Sequence, residues 1–136
     1  MAGMSNAVEL KVLEHLVAKT SYTMPTSPLF LALVTTAVVE TDTAASITEA
    51  NYTGYARKSV AGTDWGSASA GQIANANAIT FAACTAGTST VIGFALCTSS
   101  SGAGDIIAYG TLTSMVVSVS QTPVNFAVGA LILTAD

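Results

Sequence analysis

Short extended segments recur along most of this chain, separated by turns rich in glycine, serine or proline. Seven segments have the apolar and β-branched content of strands: residues 29–37, 55–60, 72–82, 90–97, 106–112, 115–120 and 124–133. Turn compositions lie between them, at residues 85–88, 99–104 and 121–123. No later stretch is helical enough to form the crossovers that a parallel sheet requires. The sequence therefore predicts a mainly β fold, an antiparallel β-sandwich or small barrel of about seven strands.

The clearest strand pattern lies at residues 72–81. Small or polar residues there alternate with a second set that includes Ile73 and Ile79, a period near two. Just before it, Arg57 and Lys58 are adjacent in a predicted strand. Neighbouring residues of a pleated strand point to opposite faces, so these two cations cannot form one basic patch.

Two elements are predicted ahead of this stretch. Residues 29–37 form a nearly unbroken apolar run, typical of a strand buried on both faces, and we expect it to be the central strand. Ser5 or Asn6 followed by Glu9 is a capping-box arrangement, which predicts one short N-terminal helix over residues 6–19. The helix is expected to direct its regularly spaced apolar side chains inward, namely Leu10, Leu13, Leu16 and Val17.

The composition indicates one domain with an unusual surface. A chain of 136 residues fits a single domain over residues 1–136. Only 9% of its residues are charged, against roughly 25% in an average soluble protein. The mean hydropathy is +0.58. Thr, Ser and Ala must then cover much of the surface, which favours a protein held against neighbours, including copies of itself, over a free monomer.

The charge and the apolar pattern exclude two classes of partner. A net charge of −4 with four basic residues argues against nucleic-acid binding, because phosphate contacts need clustered Lys and Arg. The longest apolar run, residues 29–34, is far shorter than the roughly 20 residues that span a bilayer. Residues 1–6 lack the features of a signal peptide, so synthesis inside the cell is expected.

Residues with catalytic or ligand-binding potential are few. His15 lies beside Glu14 on the predicted helix, and a solvated histidine is the favoured interpretation. Cys84 and Cys97 lack the spacing of a zinc site. Two buried thiols are favoured there, and a cross-sheet disulfide stays open. The glycine loop at residues 102–105 precedes no helix and has no nearby lysine to hold phosphate. We predict no catalytic, cofactor-binding or metal-binding residue and no enzyme activity.

The aromatic residues near strand ends allow two interpretations. They could form a sugar-stacking platform, or they could fill the ends of a sandwich. The residues concerned are Tyr22, Tyr52, Tyr55 and Trp65. The second interpretation is favoured because strand-end aromatic residues more often have that role.

Several short motifs, taken in their order and spacing, resemble a known family. They are Leu-Glu-His-Leu at 13–16, Thr-Ser-Tyr-Thr-Met-Pro at 20–25, Leu-Phe-Leu-Ala-Leu at 29–33, Gly-Tyr-Ala-Arg-Lys at 54–58, Ile-Ala-Asn-Ala-Asn-Ala-Ile-Thr-Phe at 73–81 and Val-Gly-Ala-Leu-Ile-Leu-Thr-Ala-Asp at 128–136. The resemblance, over nearly the whole chain, is to small tailed-bacteriophage virion proteins usually labelled tail fibre proteins. It implies a structural protein without enzymatic activity. The family often has Gly-Asp before the last strand, where this chain has Gln121-Thr122-Pro123.

The resemblance leaves three functions to weigh. A fibre usually contains a long repetitive shaft or a trimeric coil, and this sequence has neither. We therefore favour a capsid decoration protein on the virion exterior, made in the bacterial host cytoplasm and bound to the major capsid protein and to copies of itself. The first alternative is a tail fibre or minor tail protein bound to tail proteins. The second is a carbohydrate-binding module for host attachment.

The assembly contacts are expected in the two segments that the pattern commits least to a core. These are residues 1–6 and the acidic loop 40–51, whose acids lack the spacing of an EF-hand. The candidate contact residues are Met1, Met4, Ser5, Glu40, Asp42, Glu49 and Asn51. On this interpretation, deleting residues 1–6 weakens incorporation into particles and barely changes the stability of the free domain.

Overall fold

The computed structural model describes residues 2–134, and strands dominate that range, with 37% strand and 11% helix. The helix α1 spans Asn6–Leu16, and a single 3-10 turn spans Gly62–Asp64. The strands are β1 Ala2–Gly3, β2 Leu29–Val34, β3 Lys58–Val60, β4 Gln72–Ala74, β5 Ile79–Thr80, β6 Thr88–Cys97, β7 Ile106–Ser118, β8 Asn125–Phe126 and β9 Ile132–Thr134. The predicted mainly β fold with one short N-terminal helix is confirmed.

Five of these strands form one antiparallel sheet in the order β1-β7-β6-β2-β3. The remaining strands form two short antiparallel ladders, β4 with β9 and β5 with β8. The sheets do not close on themselves, so the sandwich is the correct alternative and the barrel is not.

The main core lies between the large sheet and the β5–β8 ladder. Leu31 and Leu33 of β2 and Leu96 of β6 pack there with Ile79 and Phe126 of the ladder. A second, smaller core covers the other face of the same strands: Ala32, Val34, Ala44, Ala95, Cys97 and Ile106. Residues of β2 are thus buried on both faces, as the apolar run predicted.

The centre of the sheet, however, is β6 rather than the predicted strand at residues 29–37. With ten residues, β6 pairs with β2 on one side and β7 on the other. Gly93 permits this close packing, because a Cβ there would lie 2.6 Å from the carbonyl oxygen of Gly110 on the neighbouring strand. A side chain at position 93 would therefore force the two strands apart.

Several predicted strand boundaries differ from the structure. The segments expected at 106–112 and 115–120 are one strand, β7, because a register shift opposite Val91 and Gly93 absorbs the residues between them. The segment expected at 72–82 is instead two short strands, β4 and β5. Similarly, 124–133 divides into β8 and β9.

Asn75 explains why the alternating segment at 72–81 does not continue as one strand. Its side chain is buried, and its amide nitrogen donates to the carbonyl oxygens of Asn77 and Ala127, both at 2.8 Å. Its side-chain oxygen accepts a hydrogen bond from the Leu131 backbone N–H at 2.8 Å. These bonds use the amide to hold the chain between β4 and β5 against the segment that joins β8 to β9.

The two cysteines are separate buried thiols, which confirms the favoured alternative over a cross-sheet disulfide. Cys84 lies in the main core, and Cys97 lies in the smaller core at the end of β6.

Candidate functional site

The outer face of α1 is apolar and exposed, which corrects the expectation that its leucines point inward. Leu10 is 63% exposed, Leu13 60%, Leu16 73% and Val17 73%. On the opposite side of the helix, Val8 is only 3% exposed. We call the outer set, Leu10, Leu13, Leu16 and Val17, the leucine face.

The helix has two apolar sides, and the smaller one packs against the protein. At 100° per residue, Val8 and the half-buried Val12 lie roughly opposite Leu10 and Val17. The spacing of the leucines predicts the larger side as the buried one. The opposite orientation results from polar contacts on the inner side, which spacing alone cannot reveal.

These polar contacts lie at the start and in the middle of the helix. The Ser5 hydroxyl, which is buried, donates a 2.6 Å hydrogen bond to the Ile106 carbonyl oxygen of β7. Ser5 is thus the N-cap residue by position, but the predicted capping box with Glu9 does not form. Further along, Lys11 forms an ion pair with Asp105, just before β7. The helix ends near Ala18, whose positive φ of 56° interrupts the helical backbone.

An acidic flank borders the leucine face near the start of the helix. It consists of Glu9, Glu40 and Asp42. The Asn6 backbone N–H donates to the Glu40 carbonyl oxygen, which brings the start of α1 to the acidic loop. Burial, followed by the negative charges of these three acids, raises the pKa of Tyr109 on β7. The three carboxylates therefore all lie near Tyr109.

The predicted contact residues are distributed over several environments. Met4 lines an apolar groove with Gly3 and Leu133, and Ser5 is buried. Glu40 is exposed, whereas Asp42 accepts hydrogen bonds within its own loop from Val39 and Ser46. Asn51 is exposed, and its side-chain oxygen accepts from Ser89. Met1 lies outside the described residues. The structure thus brings Glu40 and Asp42 to the helix.

Glu49 differs from the other acids of the loop because it pairs with a buried cation. Its carboxylate accepts from Arg57 Nε at 3.0 Å and Nη2 at 2.6 Å, and from the Tyr55 hydroxyl at 2.6 Å. The Arg57 side chain is 2% exposed and also donates to the Ser99 and Ala44 carbonyl oxygens. Burial works to lower the pKa of Arg57, but the Glu49 hydrogen bond and nearby negative charges leave it raised.

The sequence indicated only part of this network. The alternation rule separated Arg57 from Lys58, and the structure buries the first and exposes the second. Nothing in the spacing identified Glu49 as the partner, because the pairing depends on the path of the loop. Burial, then the hydrogen bond with Glu49, raises the pKa of Tyr55. The network holds the acidic loop against the rest of the fold.

The aromatic residues considered for sugar stacking lie mainly inside the protein. Tyr52 is buried, and Tyr55 stacks on Phe81 with ring centroids 6.3 Å apart. Trp65 is partly buried and packs against the main core. Tyr22, in contrast, lines an open groove beside α1. Tyr52, Tyr55 and Trp65 therefore have the packing role that the sequence favoured rather than that of an exposed platform.

The chemistry available around His15 is limited. Its Nδ1 accepts a 3.2 Å hydrogen bond from the Tyr22 backbone N–H, which ties the end of α1 to the following segment. Within residues 2–134, no group of three or more His, Cys, Asp or Glu side chains is placed to hold a metal ion.

The described part of the chain has no helix with the length and apolar content needed to cross a membrane.

Residues 3–134 match the model of a family described as Podophage GP4 fiber I protein gp80. The chain belongs to this phage fibre family. The resemblance to tail fibre proteins is thereby confirmed, and the protein is a phage structural protein that associates with other virion proteins. A comparison with individual curated proteins gives no match.

Proposed function

We propose that this protein is a non-enzymatic component of a phage tail fibre. The match to a fibre family over residues 3–134 carries this proposal. Capsid decoration was favoured from the sequence because the chain lacks a repetitive shaft. That absence has less weight once a fibre family matches residues 3–134, because the match then covers a compact β domain without such a shaft.

The site geometry is consistent with a binding rather than a catalytic role. His15 bonds to a backbone N–H and has no nucleophile among its hydrogen-bond partners in the described residues. The buried charged groups Arg57 and Glu49 bond to each other and to the surrounding chain, which is a structural use of charge. The exposed apolar side chains of α1 are instead typical of a surface that contacts another protein.

Immunogold labelling of intact virions tests the location. A short epitope inserted after Ser101, in an exposed turn away from any strand, provides the label, and untagged virions are the control. Gold particles on the tail fibres support the proposal. Gold distributed over the capsid surface would instead assign the protein to capsid decoration and overturn the fibre assignment.

A separate test addresses the absence of catalysis. His15→Ala removes the only histidine of the chain, and its expected result is a phage with unchanged infectivity and unchanged incorporation of the protein. A large loss of infectivity with normal incorporation would contradict the non-enzymatic assignment.

A further inference from the structure

We infer that the leucine face of α1 docks into an apolar groove with a basic rim on a different protein of the virion. The inference goes beyond the proposed function and depends only on membership of a virion protein family. A capsid location would overturn the fibre assignment and leave this docking surface in place.

The spacing of the leucine face supports a groove as the complementary surface. Leu10, Leu13 and Val17 follow one another at intervals of three and four residues, and Leu16 widens the strip by one position. Anchors at i, i+3 and i+7 are the usual pattern of a helix that lies in an apolar groove. The helix is already held on its inner side by the buried Val8 and by the Ser5 hydrogen bond, so its outer side is presented in a fixed orientation.

The size of the face also favours a groove over a flat contact. A helix of 11 residues is about 16 Å long and about 10 Å wide with its side chains. A specific interface usually buries about 800 Å² on each partner. One side of such a short helix has a much smaller area, so a partner must contact the sides of the helix as well as its outermost residues.

The charges beside the leucine face indicate what the rim of that groove contains. The acidic flank of Glu9, Glu40 and Asp42 lies at one end, and burial together with these charges raises the pKa of Tyr109. None of the three carboxylates belongs to the ion pairs found within residues 2–134. Lys or Arg side chains on a partner would complement this flank, increase the association rate and fix the orientation of the helix.

A second copy of this chain does not offer that complement. Three of its four basic residues are already paired, Lys11 with Asp105, Lys19 with Glu14 and Arg57 with Glu49. The fourth, Lys58, lies on β3, at the opposite edge of the large sheet from β1. In a parallel helix-to-helix contact, the Glu9 residues of both copies would also lie side by side and repel each other.

Cross-linking inside the virion identifies the occupant. A photoreactive amino acid is placed at position 13 by stop-codon suppression during infection, and linked peptides from purified particles are identified by mass spectrometry. Position 128 is the matched control, because Val128 is apolar and 65% exposed outside the helix. We expect position 13 to link to a different virion protein, at a segment that combines apolar residues with Lys or Arg. Links mainly to this same chain, or no links above the position 128 control, would overturn the inference.

Incorporation measurements test the contribution of each part. Leu13→Ala and Glu9→Lys are each expected to reduce the amount of this protein per particle by about tenfold, the effect of losing one interface hot spot. As controls, Val128→Ala shortens an exposed apolar side chain elsewhere, and Thr90→Lys adds a positive charge at an exposed position elsewhere. Thermal unfolding of each purified variant separates lost docking from lost folding. Normal incorporation of both helix variants would contradict the inference.

Discussion

At the scale of single residues, the buried pair of Glu49 and Arg57 makes the sharpest prediction. Glu49→Ala leaves the Arg57 guanidinium buried without its carboxylate, and removing one partner of such a pair costs about 3–5 kcal/mol. Urea unfolding monitored by circular dichroism measures the change in the free energy of unfolding. Lys19→Ala, which breaks the exposed pair with Glu14, should have little effect because solvent screens that pair. Equal effects of the two variants would contradict the structural role of Glu49.

A second residue-scale prediction concerns Cys97 and pH. Burial raises the pKa of this thiol to about 11, whereas an unfolded cysteine titrates near 8.5. As the pH rises, the thiol ionises first in the unfolded state. Its ionisation therefore has little effect on the free energy of unfolding below about pH 8.5 and lowers that free energy as the pH rises towards 11.

The measurable quantity is the difference between the wild type and Cys97→Ala. From pH 8 to pH 11, the wild type should lose about 3 kcal/mol more unfolding free energy than the variant, because other titrating groups are common to both proteins. Chemical denaturation at a series of pH values measures both curves. Parallel curves would show that the thiol ionises equally well in the folded state.

The sequence pattern predicted the face on which a side chain lies better than it predicted the residues to which that side chain bonds. The alternation rule correctly separated Arg57 from Lys58, and two free thiols were correctly favoured over a disulfide. The partners of Arg57 and of Asn75 could not be predicted, because each of them bonds to chain segments far away in sequence. Such contacts depend on how loops return to the sheet, and short-range periodicity does not record that.

At the scale of elements, the existence of α1 was predictable and its orientation was not. The leucines at positions 10, 13 and 16 suggested a buried side, but Val8 and Val12 supply a second, narrower one. The predicted strand segments were similarly correct in type and approximate position, but their number was seven where the structure has nine strands within residues 2–134, and their boundaries were incorrect. A register shift joins two of them into β7, and the buried amide of Asn75 separates β4 from β5.

The orientation of α1 leads to a prediction about stability. Leu13→Ala should change the free energy of unfolding by no more than about 0.5 kcal/mol, because the side chain is exposed and Ala maintains helix propensity. The same substitution at Leu31, which is fully buried in β2, should cost about 2–5 kcal/mol. Thermal and urea unfolding compare the two variants. A cost at position 13 close to that at position 31 would mean that the leucine face is packed in the free protein.

At the scale of the whole molecule, the start of the chain forms an edge strand of the large sheet. Ala2 and Gly3 pair with Gly110 and Tyr109 of β7, at the edge of the five-stranded sheet. The hydroxyl of Ser5, 101 residues before its acceptor at Ile106, continues this attachment. This pairing could not be predicted from the sequence, because a strand of two residues has no detectable period. Because of these contacts, we now expect removal of the first residues to reduce the stability of the free domain, in contrast to the expectation from the sequence.

Deletion of residues 1–5 is therefore expected to destabilise the free domain by about 2–4 kcal/mol, since it removes the β1–β7 hydrogen bonds and leaves the Ile106 carbonyl oxygen without the Ser5 hydroxyl. Ser5→Ala isolates the hydroxyl and should account for about 1–2 kcal/mol of that loss. Equilibrium unfolding of the wild type and both variants measures these values, and circular dichroism at low temperature checks that each variant still folds. A truncated protein as stable as the full chain would mean that β1 contributes nothing to the free fold, and the first residues would then act only in contacts with neighbouring virion proteins.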